Sequence, residues 1–304
     1  MTMKNKSLVS INDYSKEEQL RVLEVAQEFE ANPVQDILKD NVIASLFFEP
    51  STRTRLSFES AINRLGGKIV GFSEASNTSV KKGESLRDTI LTIANYSDLI
   101  VMRNPIEGSA RFASEISPVP IINAGDGSNQ HPTQTLLDLY SIMQTQRTLD
   151  NLHVAFVGDL KYGRTVHSLV IALCNYNTTF HLVSPVELKL PSSVKMHIKE
   201  KKLAYHQYTS MEEIISQADI LYMTRIQKER FSDPLEFERI KNSYNLHKDM
   251  LVQTRENFRI LHPMPRVNEI HVNVDTDPRA YYFQQALNGV YVRQALLAIM
   301  LGLR

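Results

Sequence analysis

A chain of 304 residues with a 42% apolar fraction has material for two ordinary cores, and its length suggests two domains. Its 34 basic and 34 acidic residues cancel. That excludes a global field drawing the chain to nucleic acid or to anionic lipid, so any bound anion must be recognised locally. The opening Met1-Thr2-Met3-Lys4-Asn5-Lys6 lacks the apolar core of a signal peptide. No apolar run approaches the roughly 18 residues needed to span a bilayer. Cys174 is the single cysteine, which excludes an internal disulfide. It lies in an apolar run and reads as a small buried hydrophobe. No Cys/His cluster has zinc spacing, and the chain reads as a soluble cytoplasmic protein.

The pattern strand, loop, helix recurs along nearly the whole length, which predicts an α/β fold with parallel sheets. Strands are expected at 42–48, 68–72, 98–103 and 119–123 in the first half. The second half offers 152–157, 179–183, 203–206, 219–223 and 258–261. Helices are expected between them, for example at 16–31, 52–65, 85–95, 133–146, 164–175 and 211–217. Asp150-Asn151 is the best internal seam. A terminal amphipathic helix is expected from about Gln284 to Leu303, broken or kinked near Gly289.

The first strand leads into Phe48-Glu49-Pro50-Ser51-Thr52-Arg53-Thr54-Arg55. Three hydroxyls and two guanidinium groups fall where an apolar run gives way to a helix. Ser51 or Thr52 sits near the N-cap, where backbone N–H groups and the helix dipole favour an anion. Arg53 and Arg55 add forked, permanently charged donors suited to phosphate. The bland alternative is a capped helix with two solvated arginines, but capping needs one hydroxyl and no arginine.

Further along, Ser76 to Glu84 reads from composition as a solvated loop, after which Ser85 caps a helix with Asp88 three residues on. Arg103 ends the third strand and is followed by Asn104-Pro105. Gly125 to Gln130 forms a tight polar loop, and His131-Pro132-Thr133-Gln134 starts a helix with proline in its first turn. His131 there can donate to a carbonyl oxygen, or simply cap the helix. Gln134 can hold an amide.

In the second half, Gly158 to Arg164 lacks the G-x-G-x-x-G spacing of a dinucleotide site, and Lys161 and Tyr162 would crowd a pyrophosphate. Arg164 at a helix start opposes the dipole, which suggests a ligand carboxylate nearby. Arg225 and Gln227, alternate residues leaving a strand, form a second carboxylate-reading pair. His262-Pro263-Met264-Pro265-Arg266 follows the last strand. Six polar clusters thus follow strand ends, where open parallel sheets bind ligands, and one cleft between two domains is expected.

Together, the segments 48–55, Arg103, 125–134, 158–168, 225–230 and 262–266 resemble the aspartate/ornithine carbamoyltransferase family. The resemblance runs from residue 48 to about 300. The pairing of Ser-Thr-Arg-Thr-Arg with His-Pro-Thr-Gln is highly specific. Arg225-x-Gln227 and Lys228-Glu229-Arg230 resemble the aspartate branch, and the ornithine branch typically carries cysteine where this chain has Pro263. Two arginines aimed at the acceptor also favour a dicarboxylate over a cationic amino acid.

The resemblance implies two Rossmann-like domains, each a parallel sheet flanked by helices, with the C-terminal helix returning to the first domain. It implies a carbamoyl phosphate-binding domain at 1–132 plus 286–304 and an aspartate-binding domain at 133–285. The implied reaction joins carbamoyl phosphate to L-aspartate, giving N-carbamoyl-L-aspartate and phosphate in pyrimidine synthesis. Ser51, Thr52, Arg53 and Thr54 would hold the phosphate. Arg103, His131 and Thr54 would surround the carbonyl oxygen. Gln134 and the backbone carbonyls of Met264 and Pro265 would orient the carbamoyl NH2, and Arg164, Arg225 and Gln227 would grip the aspartate carboxylates.

Ser79 and Lys82 would reach a neighbouring subunit's site, making a homotrimer. Lys82 is preferred to Lys81 because the family lysine directly precedes Gly-Glu, here Gly83-Glu84. Relatives commonly have leucine at Met264, a change without consequence where a backbone carbonyl acts. No metal, cofactor or covalent nucleophile is implied. Relatives work as bare trimers, with separate regulatory chains, or beside dihydroorotase, and the sequence leaves that choice open.

Overall fold

Val42–Phe47 (β1) buries all but its first residue, as a strand covered on both faces must. The computed structural model describes residues 3–74, 79–227, 231 and 233–304, except the side chains of 80, 234 and 236. Two expected stretches, Ser76–Thr78 and Lys228–Arg230, lie outside the described residues.

Nine strands are described, all in parallel sheets. In the first compact unit, Met1–Tyr140 with Leu287–Arg304, β1 is joined by Lys68–Phe72 (β2), Leu99–Asn104 (β3) and Ile121–Asp126 (β4). Their order is β2-β1-β3-β4. Alternate residues Ala44, Leu46, Ile100, Met102 and Ile121 point to one face. There they pack on Ile90 and Ala94 of Leu86–Ala94 (α3) and on Ala110 and Ala113 of Ser109–Ile116 (α4). Lys16–Ala31 (α1) and Thr52–Arg64 (α2) precede these helices in the chain. The expected capping at Ser85 is present, its Oγ accepting the Asp88 N–H at 3.1 Å.

The second unit, Ser141–Ala286, holds His153–Val157 (β5), Thr179–Val183 (β6), Tyr205–Tyr208 (β7), Ile220–Met223 (β8) and Arg259–Leu261 (β9). The order is β7-β6-β5-β8-β9. Ala155, Val157, Val183, Leu221, Met223 and Ile260 anchor its core. Its helices are Arg164–Leu173 (α6), Ser192–Glu200 (α7) and Pro234–Ile240 (α8). The division between units falls inside two helices, Pro132–Gln146 (α5) and Tyr282–Met300 (α9).

Four sequence expectations need correction. Residues 211–217 form hydrogen-bonded turns, not a helix. Met211, Ile214 and Ile215 pack into the core, and a segment that short gains little from the helical ladder. α9 runs unbroken through Gly289. A Cβ there would lie 2.3 Å from Arg293 Nη1 and 3.1 Å from Leu137 Cδ2, so the glycine makes room and does not break the helix.

The strand expected from 119 begins at Ile121, because Pro120 has no N–H for the ladder. It runs on to Asp126, which pairs with Asn104. The strand expected from 203 begins at Tyr205. Leu203 belongs instead to the turn closing α7, its N–H bonding Ile198 O at 3.1 Å after Lys202 at φ 54°.

Candidate functional site

In a parallel sheet every strand ends at the same edge, so polar segments that leave strand C-termini collect there. In the first unit Phe47 pairs with Arg103, and the Phe48 N–H bonds Arg103 O at 2.9 Å. The end of β1 is thereby fixed beside the end of β3. Arg103 is the penultimate residue of β3, within the strand expected at 98–103. Its Nε donates to Glu49 Oε1 at 2.7 Å and its Nη1 to Ala124 O at 3.4 Å.

Ser51 is the N-cap of α2 but its hydroxyl makes no capping bond. The first turn carries no acid either, which leaves the positive end of the helix dipole uncompensated by carboxylate. Thr52 and Arg53 are exposed, and Ser51 and Thr54 half-buried. Arg55 faces Glu59 one turn further along the helix, with Nε 3.8 Å from Oε1.

The loop after β4 is organised by Asp126, a residue the motif reading passed over as part of a polar run. Its buried carboxylate accepts from Asn123 Nδ2 at 2.9 Å, Gly108 N at 3.0 Å, Asn129 Nδ2 at 3.0 Å and Gln130 N at 3.1 Å. The signal available was an Asp inside a Gly/Asn/Ser turn, which favours such local bonds. This loop delivers His131 to the start of α5, buried to 5% exposure, with Nδ1 3.5 Å from Thr133 Oγ1. Gln134 lies on the first turn and donates Nε2 to Asp138 Oδ1 at 2.8 Å. That leaves its carbonyl oxygen as the acceptor available to a ligand amide.

Ser79 and Lys82 lie on a short 3-10 segment, Ser79–Lys82, and are exposed. With Phe72, Glu84, Thr89, Thr92 and Ile93 they line a cavity of about 440 Å³.

In the second unit the ends of β5 and β8 touch. A Cβ on Gly158 (φ 115°) would come within 2.2 Å of Thr224 O, so only glycine allows the approach. Asp159 is fully buried, accepts from Tyr162 N at 2.9 Å, and lies 3.4 Å from Gln227 Nε2. Burial raises its pKa against the pull of these donors. Gln227 is expected as a ligand residue, yet it also links these two strand ends through Asp159. Arg164 is the first residue of α6, half-buried, behind an N-cap glycine that supplies no side-chain acceptor. Arg225, half-buried, follows β8.

The loop after β9 is built on His262, whose side chain is 1% exposed. Its Nδ1 accepts the Met264 N–H at 2.7 Å, and its Nε2 lies 2.7 Å from Glu269 Oε1. Burial lowers the His262 pKa, with Arg266 and Arg225 assisting and Glu269 opposing. Met264 has φ 58° and is half-buried, and Pro265 is exposed. Arg266 forms a two-pronged pair with Asp275 and also reaches the Tyr282 hydroxyl at 3.2 Å.

Comparison with known proteins gives this arrangement its context. A family model described as the aspartate/ornithine carbamoyltransferase carbamoyl-P binding domain matches residues 6–144. The model of that family's Asp/Orn binding domain matches 150–300. The aspartate carbamoyltransferase catalytic subunit of Bacteroides fragilis is 59% identical over 302 residues, covering 99% of this chain and 98% of that one. That of Chromobacterium violaceum is 55% identical over 300 residues, covering 99% of each.

Among solved structures, the catalytic subunit of M. jannaschii aspartate transcarbamoylase superposes with a TM-score of 0.92 at 49% identity, covering 98% of both chains. Trypanosoma cruzi aspartate transcarbamoylase, in complex with carbamoyl phosphate and aspartate, gives 0.91 at 35% identity, covering 97% of this chain and 96% of that one. Two family models in tandem, full-length relatives and two parallel sheets with polar strand ends agree: the chain belongs to the aspartate/ornithine carbamoyltransferase family.

Proposed function

We propose that this protein transfers the carbamoyl group of carbamoyl phosphate to L-aspartate, releasing phosphate. The observation that carries the reading is 59% identity, over nearly the whole chain, to an aspartate carbamoyltransferase catalytic subunit. The first unit takes carbamoyl phosphate. Ser51, Thr52, Arg53 and Thr54 at the start of α2 hold its phosphate, where the dipole and the uncapped hydroxyl favour an anion. Arg103, His131 and Thr54 donate to its carbonyl oxygen. As the amine attacks, charge grows on that oxygen, and one such donor contributes about 3–4 kcal/mol.

The Gln134 carbonyl oxygen and the backbone carbonyls of Met264 and Pro265 accept from the carbamoyl NH2. Arg164, Arg225 and Gln227 receive the carboxylates of aspartate. The aspartate nitrogen forms a bond to the carbonyl carbon, the carbon–oxygen bond to phosphate breaks, and the departing phosphate accepts the amine proton. Holding both reactants in register contributes about 7–11 kcal/mol.

Ser79 and Lys82 complete a neighbouring subunit's site, so the working assembly is a homotrimer in the cytoplasm, serving pyrimidine synthesis. The exposure of both residues beside a cavity supports that role. The test is an assay of the pure protein with carbamoyl phosphate and either aspartate or ornithine, measuring phosphate and ureido product. Ureido product with aspartate is expected. Turnover with ornithine alone, or binding without product, overturns the reading.

A further inference from the structure

We propose that His262 and Glu269 are positioning residues that hold the Met264–Pro265 turn so that its carbonyls receive the carbamoyl NH2. This rests on the carbamoyl-transfer reading above and assigns work to two side chains that touch no substrate. The pair closes a loop that begins where β9 ends at Leu261. Because the Met264 N–H donates to His262 Nδ1 at 2.7 Å, that nitrogen carries no proton. The proton therefore sits on Nε2 and is donated to Glu269 Oε1 at 2.7 Å.

The other carboxylate oxygen, Oε2, accepts the N–H groups of Val267 and Asn268, each at 3.1 Å. One imidazole and one carboxylate thus bond to three backbone N–H groups between residues 264 and 268. The His262 N–H is itself tied to Gln285 Oε1 at 2.8 Å, at the start of α9.

Met264 needs such restraint. Its φ of 58° lies in the left-handed region, which a side chain with a Cβ adopts only when its surroundings hold it there. The peptide plane on its N-terminal side is set by the bond to Nδ1. Freed from that bond, the residue relaxes toward negative φ and its carbonyl turns. Arg266 is pinned separately by Asp275 and Tyr282, so the far flank of the turn does not depend on His262. A neutral imidazole fits the task, since protonation of Nδ1 would turn its acceptor into a second donor facing an N–H. Burial lowers the pKa of His262, in keeping with that neutral form.

The experiment compares two ligands that differ at the carbamoyl NH2. Carbamoyl phosphate has this group. N-(phosphonacetyl)-L-aspartic acid, present in one of the related Trypanosoma cruzi structures, keeps the carbonyl and the aspartate moiety but has no carbamoyl NH2. In His262→Gln the acceptor for Met264 is lost. The KM for carbamoyl phosphate should rise about tenfold, the scale set by one lost hydrogen bond with its donor left buried. Inhibition by the bisubstrate compound should weaken by less than about threefold on the same scale.

His262→Asn puts an amide oxygen near the place of Nδ1 and should recover part of the lost carbamoyl phosphate affinity. Glu269→Gln, which keeps an acceptor for Nε2–H, gives the same selective defect in milder form and serves if the histidine variants do not fold. Equal weakening of both ligands, or folded variants that match the wild type, overturns the positioning role while wild-type turnover stands. A wild type without turnover overturns the functional reading itself, and the positioning role with it.

Discussion

Gln134 and Asp138, one helical turn apart on α5, are joined by a 2.8 Å hydrogen bond in which the amide nitrogen donates to a fully buried carboxylate. The bond decides which end of Gln134 is presented to a ligand. With Nε2 engaged, the carbonyl oxygen is the end left for a ligand amide, as the proposed contact with the carbamoyl NH2 requires. Asp138→Asn removes the obligatory acceptor and allows the Gln134 amide to turn over. Carbamoyl phosphate affinity should fall by about 1 kcal/mol, roughly fivefold. The same carboxylate helps keep buried Arg293 charged, a group whose pKa burial lowers to about 10. The variant should therefore also lose stability, on the order of 3 kcal/mol if the buried charge loses its compensation. Titration calorimetry with carbamoyl phosphate and urea denaturation separate the two effects. Unchanged affinity in a destabilised variant refutes the orienting role.

Arg53 is exposed at the first turn of α2 and carries little packing. Arg53→Ala should fold normally and lose about a hundredfold or more in kcat/KM. Lys82→Ala should be similarly impaired. If sites are shared as proposed, with Arg53 from one chain and Lys82 from its neighbour, mixing the two impaired chains under conditions that exchange subunits should restore part of the activity. Verified mixed oligomers that stay inactive would count against the shared site.

Arg225 follows β8 in the unit matched by the Asp/Orn binding-domain model. Arg225→Ala should raise the aspartate KM by tenfold or more, in line with about 1.5–3 kcal/mol for a charged hydrogen bond. Carbamoyl phosphate binding, read by calorimetry, should stay within a factor of about two, since that ligand carries no carboxylate for Arg225 to hold. A comparable loss for both ligands would show that Arg225 does not discriminate between them.

His181 on β6 is 3% exposed, with Nε2 3.0 Å from His153 Nδ1 and Nδ1 3.3 Å from the Tyr208 hydroxyl. Burial, then the neighbouring His153, His206 and Arg255, lowers its pKa from 6.5 to about 4, against the opposing pull of Asp219. The unfolded chain therefore takes up a proton first as pH falls. The stability contributed by neutral His181 is complete above pH 6.5 and is lost between there and about 4. Urea midpoints of the wild type should drop across that window, and His181→Gln should show a shallower drop. Parallel pH profiles would remove His181 as a cause.

How far the sequence carries can be seen at β1 and α2. The buried run 42–47, the hydroxyl-rich helix start and the arginines are local features, read from spacing and from which groups a helix N-terminus accepts. The same holds for proline at the first position of α5 and for α1, whose limits agree with the expected 16–31. Where neighbours matter more than local pattern, the reading failed. Gly289 carries the usual mark of a helix break, yet its lack of a side chain admits Arg293 and Leu137. Met211, Ile214 and Ile215 have helical spacing but are held in turns by the core.

By itself, the order of residues determined that hydroxyls, guanidinium groups and amides would leave strand ends, since this depends on side chains a few positions apart. Tertiary structure alone decided their partners. Glu49 meets Arg103 across 54 residues and Asp159 meets Gln227 across 68. Such pairs depend on which strands lie side by side in the sheet. A hydrogen bond needs its two atoms near 3 Å, and no local spacing places residues that far apart in the chain within such reach.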